Sequence, residues 1–454
     1  MPWKQALRNL LPADQISDNR TILQHHSKDE SYHQTVNPDI VVFPKNKLEI
    51  SQIMKLAHLY QIPVTPFGAG SSLEGHPIPV NGGISMDFQL MNNIIEIRQT
   101  DLLVKVQPGI TRKQLNVALK KYGLFFPVDP GADATIGGMT STNASGTTTV
   151  KYGAMKDVVR GLEVVLANGE IVKTGGLAAK SSSGYNLTPV FVGSEGTLGV
   201  FTEITLKVFG IPEATLACKA VFSSVERAVN AANMMVTSGI PIARLELVDE
   251  QSMKQVNIHN KTVYPEQPTL FIEFHGNELG IKADAAFAKE VAETEGCTIF
   301  EYETDTIKKA QLWEARHSLA YAFKHGYPGK RNMSTDVCVP LSMLPEAIAH
   351  ASTLLKSYEI VGGIVGHVGD GNFHALIMVN PNDPVEFEKV QTVNQEIVDF
   401  AIKCGGTATG EHGIGLGKIE SLYKEHASSI QLMKMIKDQF DPLGILNPGK
   451  MFKS

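Results

Sequence analysis

Two histidines in the segment GHVGDGNFHALIMVN are spaced so that they could bind one metal ion. Asp370-Gly371 lies between two apolar, strand-like stretches, and this dipeptide is typical of a two-residue β-hairpin turn. Residues at equal distances from such a turn face one another. We therefore expect His367 directly opposite His374, with Cβ atoms about 5 Å apart. Two imidazoles at that separation can share one divalent metal ion.

A second segment, TGEHGIGLGK, places a carboxylate and an imidazole side by side between glycines. Two histidines and Glu411 would leave coordination positions open, which is typical of a catalytic metal site. His412 would then remain as a general base near neutral pH. A histidine on a strand is more often a core residue, and a glycine-rich loop is more often only a turn. The two segments together favour a metal site.

Three loops rich in small residues could enclose an anionic, planar ligand. The first, GAGSSLEG, has glycines that permit a tight loop whose N–H groups face a phosphate. The second covers residues 127–153 and the third covers residues 191–208. Such composition usually indicates a flexible linker, but a loop this long between well-patterned elements is usually functional. The first loop differs in spacing from G-x-G-x-x-G, which disfavours a nicotinamide-binding Rossmann domain.

The elements around these loops predict an α+β fold with two domains. Residues 39–67 predict a short β-α-β unit, and Thr111 is the predicted N-cap of an amphipathic helix. Beyond Pro212 the pattern changes to ordinary helices and strands, which indicates a second domain. We expect the last amphipathic helix to end at Asp441-Pro442. The predicted divisions are 1–210, 211–415 and 416–454, with the last segment returning to the first domain.

Composition excludes several classes of protein. The 454 residues carry 41 basic and 47 acidic side chains, a net charge of −6, and 43% are hydrophobic. These values are ordinary for a globular protein and argue against a nucleic-acid partner. The four cysteines lack paired spacing, which disfavours disulfides and an iron–sulfur cluster. No apolar run suits a signal peptide or a transmembrane span, so we expect the mature chain to begin near Met1. We expect a cytoplasmic location, in which peripheral contact with a membrane stays open.

Several motifs, in order, resemble one flavoprotein superfamily. The loops PFGAGSSLEG, DPGADATIGGMTSTNASG and VGSEGTLGVFTEITLKV are similar to the FAD-binding domain of the vanillyl-alcohol oxidase and p-cresol methylhydroxylase (PCMH) superfamily. The motifs STDVCVP, GHVGDGNFHALIMVNP, TGEHGIGLGK and LNPGKM resemble the branch of FAD-linked D-lactate dehydrogenase and the glycolate oxidase FAD subunit. The resemblance implies a two-subdomain FAD-binding domain, followed by a cap domain whose antiparallel sheet covers the flavin.

The resemblance also implies which residues bind the cofactor. Relatives with covalent flavin carry a histidine in the first loop, and His76 lies just after that loop. We expect FAD to be held non-covalently. The implied FAD-binding residues are Pro66, Phe67, Gly68, Ala69, Gly70, Ser71, Ser72, Pro130, Gly131, Thr135, Gly137, Gly138, Ser141, Ala144, Ser145, Gly146, Thr147, Glu195, Gly196 and Ile204.

Metal and substrate residues follow from the same resemblance. In this branch two histidines and a glutamate bind one divalent metal, with zinc and manganese both suited to the site. The implied metal ligands are His367, His374 and Glu411. His412 takes the role of catalytic base. Arg316 matches an arginine that binds the substrate carboxylate in 2-hydroxyglutarate relatives, and Lys330 and Arg331 compete for that role.

The reaction implied is oxidation of a D-2-hydroxy acid, with hydride transfer to flavin N5 and electrons passed to a non-NAD acceptor. A quinone, a cytochrome or a partner protein could be that acceptor. Relatives that oxidise 2-hydroxyglutarate carry a lysine near the position of Ser334, so its absence here favours a short acid. We expect oxidation of D-lactate to pyruvate, with glycolate and D-2-hydroxyglutarate as alternatives. The sequence leaves a homodimer open.

Two other interpretations remain at this stage. A metal-dependent hydrolase would use the histidines and Glu411 to activate water and would carry no flavin. The sequence lacks G-x-S-x-G and H-E-x-x-H, which weakens the serine-hydrolase and zincin versions of this interpretation. A non-catalytic flavoprotein subunit would work only in complex with an iron–sulfur partner.

Overall fold

A computed structural model describes residues 1–453, which divide into two compact units. Unit 1 contains Met1–Ser145, Gly153–Ile211 and the described chain from Glu411 onwards. Unit 2 contains Gly146–Tyr152 and Pro212–Gly410. The predicted divisions after residues 210 and 415 lie within a few residues of two of these junctions. The short segment Gly146–Tyr152 was not predicted to separate from its neighbours.

The strands of the described chain are mostly short. They are β1 (Ile16–Ser17), β2 (Ile40–Val42), β3 (Val64–Phe67), β4 (Ile84–Asp87), β5 (Ile94–Arg98), β6 (Leu103–Val106), β7 (Leu124–Phe125), β8 (Val159–Val165), β9 (Ile171–Gly175), β10 (Val200–Lys207), β11 (Phe209–Gly210), β12 (Ala214–Phe222), β13 (Ile242–Val248), β14 (Thr269–Gly276), β15 (Cys297–Glu303), β16 (Arg331–Ser334), β17 (Val337–Cys338), β18 (Gly362–His367) and β19 (Asn372–Val379).

The longer helices lie mainly between the strands of unit 2. The helices are α1 (Pro2–Leu10), α2 (Arg20–His25), α3 (Lys47–Tyr60), α4 (Arg112–Lys120), α5 (Ile136–Ser141), α6 (Thr149–Tyr152), α7 (Met155–Val158), α8 (Thr188–Phe191), α9 (Val225–Thr237), α10 (Glu250–Asn260), α11 (Glu278–Thr294), α12 (Thr306–His317), α13 (Leu319–Gly326), α14 (Leu344–Ser357), α15 (Pro384–Lys403), α16 (Ile419–Glu425) and α17 (Ile430–Phe440).

The first sheet of unit 1 has the strand order β1-β2-β4-β3, with β2, β4 and β3 parallel. Helix α3 provides the crossover from β2 to β3, two parallel strands that lie on either side of β4. Asn46 caps α3 by accepting hydrogen bonds from the Leu48 and Glu49 N–H groups. The helix ends at Gln61, whose φ is +52°. The predicted β-α-β unit is therefore confirmed, and it delivers the first small-residue loop at the end of β3.

The second sheet of unit 1 has the antiparallel order β5-β6-β10-β8-β9. Thr111 caps α4 through a capping box with Gln114, as predicted. The stretch 127–153 contains α5 and α6, so it is not a structureless linker. Helix α17 ends at Phe440, where the prediction placed the stop. The sheet packs into a core that includes Val106, Leu162 and Ile204, each at most 3% exposed.

Unit 2 is built on an eight-stranded antiparallel sheet. Its order is β15-β12-β14-β13-β18-β19-β16, and β17 pairs with β19 outside this path. Strands β13, β18 and β19 are adjacent, so residues far apart in sequence meet on one face of the sheet. Across the described residues, no helix has both the length and the apolar content needed to cross a membrane.

Candidate functional site

The first small-residue loop of unit 1 begins where β3 ends. A Cβ atom on Gly68 would come within 2.4 Å of the Thr135 hydroxyl oxygen, so only glycine fits there without displacing its neighbour. Thr135 is the N-cap of α5 and accepts a hydrogen bond from the Gly138 N–H. The first loop therefore lies directly against the second.

The third small-residue loop contacts both of the others. The Glu195 N–H donates to the Ser141 carbonyl at 2.8 Å, at the end of α5. Gly196 has a φ of +73°, and a Cβ atom on it would lie 3.2 Å from Pro66. Within unit 1 the third loop therefore lies beside α5 and the end of β3, and the enclosure of one ligand by the three loops stays a prediction.

These loops have features that suit a bound FAD. Gly70 has a φ of +65° and, with Ala69, leaves the backbone of the first loop partly accessible. In the third loop, the buried Ser194 hydroxyl has no hydrogen-bond partner among the described residues. A buried hydroxyl without a partner is costly, and a polar ligand group would satisfy it.

The predicted FAD-binding residues belong almost entirely to unit 1. Gly146 and Thr147 are the exceptions, because they lie in unit 2. Ile204 lies on β10 and is fully buried in the core of unit 1. The carboxylate of Glu195, another of the predicted residues, contacts other parts of unit 1.

Glu195 fixes the loop that follows Glu411 and His412. Its Oε1 accepts the Ile414 N–H at 2.6 Å, and its Oε2 accepts the Gly415 N–H at 2.8 Å. The His76 Nε2 atom lies 3.1 Å from Oε2. We call this arrangement the Glu195 clamp.

Both charged members of the Glu195 clamp are buried, and their pKa values shift in opposite directions. Burial opposes ionisation of both groups most strongly. The charge of His76 and the two backbone N–H groups nevertheless lower the pKa of Glu195. The charges of Glu195, Glu74 and Asp29 raise the pKa of His76. The 3.1 Å contact and these two directions both favour the charged forms of Glu195 and His76 in the clamp.

Glu411 and His412 begin the last segment of unit 1. The Ser145 hydroxyl donates to Glu411 Oε2 at 3.2 Å, and His412 Nε2 lies 3.7 Å from Glu411 Oε1. Gly413 follows with a φ of +84°, and a Cβ atom on it would lie 2.8 Å from both Glu195 and His76. Only glycine fits here, so the sequence EHG is matched to the clamp beneath it.

The histidine hairpin of unit 2 differs from its predicted form. His367 lies opposite Asn372, so the loop between β18 and β19 has four residues, 368–371, and not two. The Asp370 N–H donates to the His367 carbonyl inside this loop, where Gly371 has a φ of +85°. The predicted two-residue turn is therefore wrong.

His367 and His374 are consequently diagonal neighbours and not directly opposite, which corrects the predicted register. Val365 is the residue opposite His374. A shift of two residues leaves every side chain on its original face of the sheet. Both imidazoles therefore remain together, with ring centroids 5.5 Å apart.

Each of these histidines donates its Nδ1 proton to a fixed acceptor within unit 2. His367 Nδ1 lies 2.7 Å from Glu246 Oε1, and His374 Nδ1 lies 3.0 Å from the Thr335 carbonyl oxygen. The proton is assigned to Nδ1 because a carboxylate and a carbonyl only accept. With the proton on Nδ1, Nε2 is the atom of each ring that can bind a metal.

Asp336 is a further acidic group beside His374. Its Oδ1 lies 3.7 Å from His374 Nδ1 and accepts a hydrogen bond from the Asn372 amide, while its Oδ2 accepts the Thr409 hydroxyl. The carboxylate is fully buried.

Two residue pairs could each contribute ligands to a cation. Asp336 and His374 in unit 2 carry potential ligand atoms within 4.8 Å of each other, and so do Glu411 and His412 in unit 1. Nitrogen and carboxylate donors of this kind suit a divalent transition metal.

Arg316 lies on α12 in unit 2 and contacts the same Glu246 that holds His367. Its Nε and Nη2 atoms lie 2.9 and 2.8 Å from Glu246 Oε2. The competing candidates lie elsewhere in unit 2: Lys330 is paired with Glu386 at 2.5 Å, and Arg331 is exposed at the start of β16.

Sequence reasoning missed Glu246 and Asp336. Glu246 stands in the alternating strand IARLELV and carries no motif of its own. Asp336 lies inside STDVCVP, where its position between the strands β16 and β17 was the available signal.

Two family models match the chain. The model described as "FAD linked oxidases, C-terminal domain" matches residues 211–451, and the model described as "FAD binding domain" matches residues 38–175. A solved structure of p-cresol methylhydroxylase with substrate bound has a TM-score of 0.80 at 17% identity, covering 99% of this chain and 96% of that one. The PCMH-type fold, with its antiparallel-sheet domain, is thereby confirmed.

Curated relatives cover nearly the whole chain. A protein named probable D-lactate dehydrogenase, mitochondrial, from Danio rerio is 42% identical over 99% of this chain and 91% of its own length. D-lactate dehydrogenase (cytochrome), mitochondrial, from Arabidopsis thaliana is 39% identical over 97% and 80%. Glycolate oxidase subunit GlcD from Bacillus subtilis is 34% identical over 99% and 96%. The mitochondrial names of the first two contradict the predicted cytoplasmic location, which we withdraw.

Proposed function

We propose that this chain, which belongs to the FAD-linked oxidase family, is an FAD-dependent dehydrogenase that oxidises D-lactate to pyruvate. The D-lactate dehydrogenases from Danio rerio and Arabidopsis thaliana support this substrate. The observation that carries the proposal is the pair His367 and His374, whose Nδ1 atoms are held so that both rings can offer Nε2. The fold alone would not require such a pair.

FAD belongs in unit 1, where the three small-residue loops converge. Non-covalent binding is supported by the environment of His76, whose two ring nitrogens face Ser72 and Glu195. Covalent attachment through this ring would need one of those nitrogens and would break either its contact with Ser72 or the Glu195 clamp. FAD supplies the acceptor for the hydride that leaves the α-carbon of the substrate.

His367, His374 and Glu411 are the proposed ligands of one zinc or manganese ion. The chain passes from Gly410 directly to Glu411, and the Gly410 N–H donates to the Asp336 carbonyl within unit 2. This bond ties the backbone before Glu411 to the strand segment that carries Asp336. A metal ion in such a site lowers the pKa of a bound hydroxyl group and orients it.

The chain's own residues would perform the remaining steps. Arg316 binds the substrate carboxylate, since a guanidinium offers a planar fork of donors to a carboxylate. His412 removes the proton of the substrate hydroxyl as the hydride departs. The electrons then leave for an acceptor outside this chain, and the cytochrome in the name of the Arabidopsis relative supports a cytochrome in that role.

A small monocarboxylate is favoured over a dicarboxylate. Ser334, the position where a lysine would meet a second carboxylate, lies in β16 with its hydroxyl donating to the neighbouring Thr335 carbonyl. Leu319, next to the end of α12, is buried in the core of unit 2 and does not contribute to selection. Glycolate is the second candidate, because the Bacillus subtilis relative is a glycolate oxidase subunit.

Anaerobic reduction of the purified protein's flavin tests the proposed substrate. D-lactate, L-lactate, glycolate and D-2-hydroxyglutarate would each be mixed with the protein while absorbance is followed at roughly 450 nm, where oxidised flavin absorbs. We expect rapid bleaching by D-lactate and slow or no bleaching by L-lactate. Faster bleaching by glycolate than by D-lactate would identify glycolate, and not D-lactate, as the substrate. A colourless protein would instead support the hydrolase.

A further inference from the structure

Glu246 is a fully buried carboxylate beside His367, and the proposed reaction does not use it directly. It lies on β13 with no exposed surface, and its cross-strand partner on β18 is His367. A carboxylate in such a place is costly unless it is paired and hydrogen-bonded. Hydrogen bonds to both carboxylate oxygens offset that cost.

Each oxygen of Glu246 holds a different functional side chain. Oε1 accepts from His367 Nδ1 at 2.7 Å. Oε2 accepts from both Nε and Nη2 of Arg316, at 2.9 and 2.8 Å. One rigid group on a central strand therefore sets the orientation of a ring and of a guanidinium from two other elements.

We propose that Glu246 is a positioning residue that couples the metal ligand His367 to the carboxylate-binding Arg316. The inference deepens the proposed function and rests on it. By holding the proton on Nδ1, Glu246 keeps the Nε2 lone pair of His367 for the metal and makes the ring a better ligand. By binding one edge of Arg316, it fixes the plane in which the remaining guanidinium donors face the substrate carboxylate.

A second buried glutamate in the same unit, with a histidine and an arginine beside it, provides a control. Glu273 on β14 is 6% exposed, lies 2.7 Å from His275 Nε2, and accepts the Trp313 indole N–H at 2.6 Å. Arg244 Nη1 lies 3.6 Å from Glu273 Oε1. Glu273 thus lies beside a histidine and an arginine, but its contacts are with His275, Trp313 and Arg244 and not with the histidine pair or Arg316.

The test compares zinc affinity in Glu246→Gln, Glu273→Gln and the wild-type chain. FAD-loaded protein stripped with a chelator would be titrated with zinc in competition with a chromophoric chelator. We expect Glu246→Gln to weaken zinc binding about 10- to 100-fold and Glu273→Gln to leave it within about twofold. The KM for D-lactate should also rise about tenfold in Glu246→Gln, because Arg316 loses its fixed plane.

Equal zinc affinity in Glu246→Gln and the wild type would overturn the positioning role and leave the proposed function intact. A wild-type chain that binds no zinc or manganese would overturn the metal site itself and this inference with it. If Glu246→Gln does not fold, Glu246→Asp keeps the charge but shortens the reach by one methylene. Wild-type zinc affinity in Glu246→Asp would then overturn the proposal, and weaker binding would support it.

Discussion

Replacing Glu195 by glutamine should destabilise unit 1 and leave unit 2 unaffected. The glutamine keeps the shape of the carboxylate but offers only one oxygen to the two N–H groups of Ile414 and Gly415. One of these donors then faces an amide NH₂, and His76 loses its charge partner. The buried ion pair of the clamp is broken on one side.

The size of this effect follows from those contacts. An unsatisfied buried donor costs about 1–3 kcal/mol, and removing one partner of a buried pair costs about 3–5 kcal/mol. His76 can shed its proton, which reduces the second cost, so we expect a total of about 3 kcal/mol. At a urea dependence of about 3 kcal/mol per molar for a unit of this size, the unfolding midpoint should fall by about 1 M.

The two tryptophans allow each unit to be followed separately. Trp3 is buried in unit 1 and Trp313 is buried in unit 2. With Trp313 replaced by phenylalanine, the fluorescence of Trp3 reports unit 1 and should show the lowered midpoint in Glu195→Gln. With Trp3 replaced by phenylalanine, the fluorescence of Trp313 reports unit 2 and should show no change in midpoint. Glu203→Gln is the control: this carboxylate is half-exposed, 3.5 Å from Lys47, and should cost less than about 1 kcal/mol.

The clamp also predicts a pH window. The lowered pKa of Glu195 contributes stability above its ordinary value of 4.5, and this contribution is lost as the pH falls through the folded pKa. The raised pKa of His76 contributes stability below 6.5, lost as the pH rises through its folded pKa. The stability that the Glu195 clamp contributes is therefore largest between pH 4.5 and pH 6.5, the ordinary pKa values of the two groups. A Trp3 midpoint that is unchanged in Glu195→Gln across this window would refute the reasoning.

Three further outcomes are expected. Gly68→Ala should abolish FAD retention, measured as the 450 nm absorbance per chain, because its Cβ would clash with Thr135; retained FAD would contradict the close approach of the two loops. His412→Gln should keep stoichiometric zinc but slow flavin reduction by about 10²- to 10⁴-fold, and an unchanged rate would exclude it as the base. Thr111→Ala should cost about 1 kcal/mol through loss of the α4 cap, with no change in activity.

Local sequence signals predicted the elements that position the site. The β-α-β unit, the Thr111 cap and the end of α17 each depend on residues close together in the chain. The hairpin register was mispredicted because Asp370-Gly371 also fits a four-residue loop, and only Gly371 takes a positive φ there. The prediction that both histidines lie on the same face of the sheet still held, because the register error was two residues, an even number.

The buried partners of the site could not be predicted locally. Glu246 is 121 residues from His367 in sequence, and Glu195 is 219 residues from Ile414. Such contacts depend on strand order and on the return of the last segment to unit 1. Resemblance could supply ligands and bases residue by residue, but it did not supply the carboxylates that hold them.

Anaerobic flavin reduction by D-lactate, before and after metal removal, tests the central claim most directly. The same protein would be measured as purified, after chelation, and after zinc or manganese is returned. We predict rapid bleaching that chelation slows by about a hundredfold or more and that the metal restores, because the metal contributes several kcal/mol to stabilising the transition state. Undiminished bleaching in protein shown to be free of metal would contradict the account.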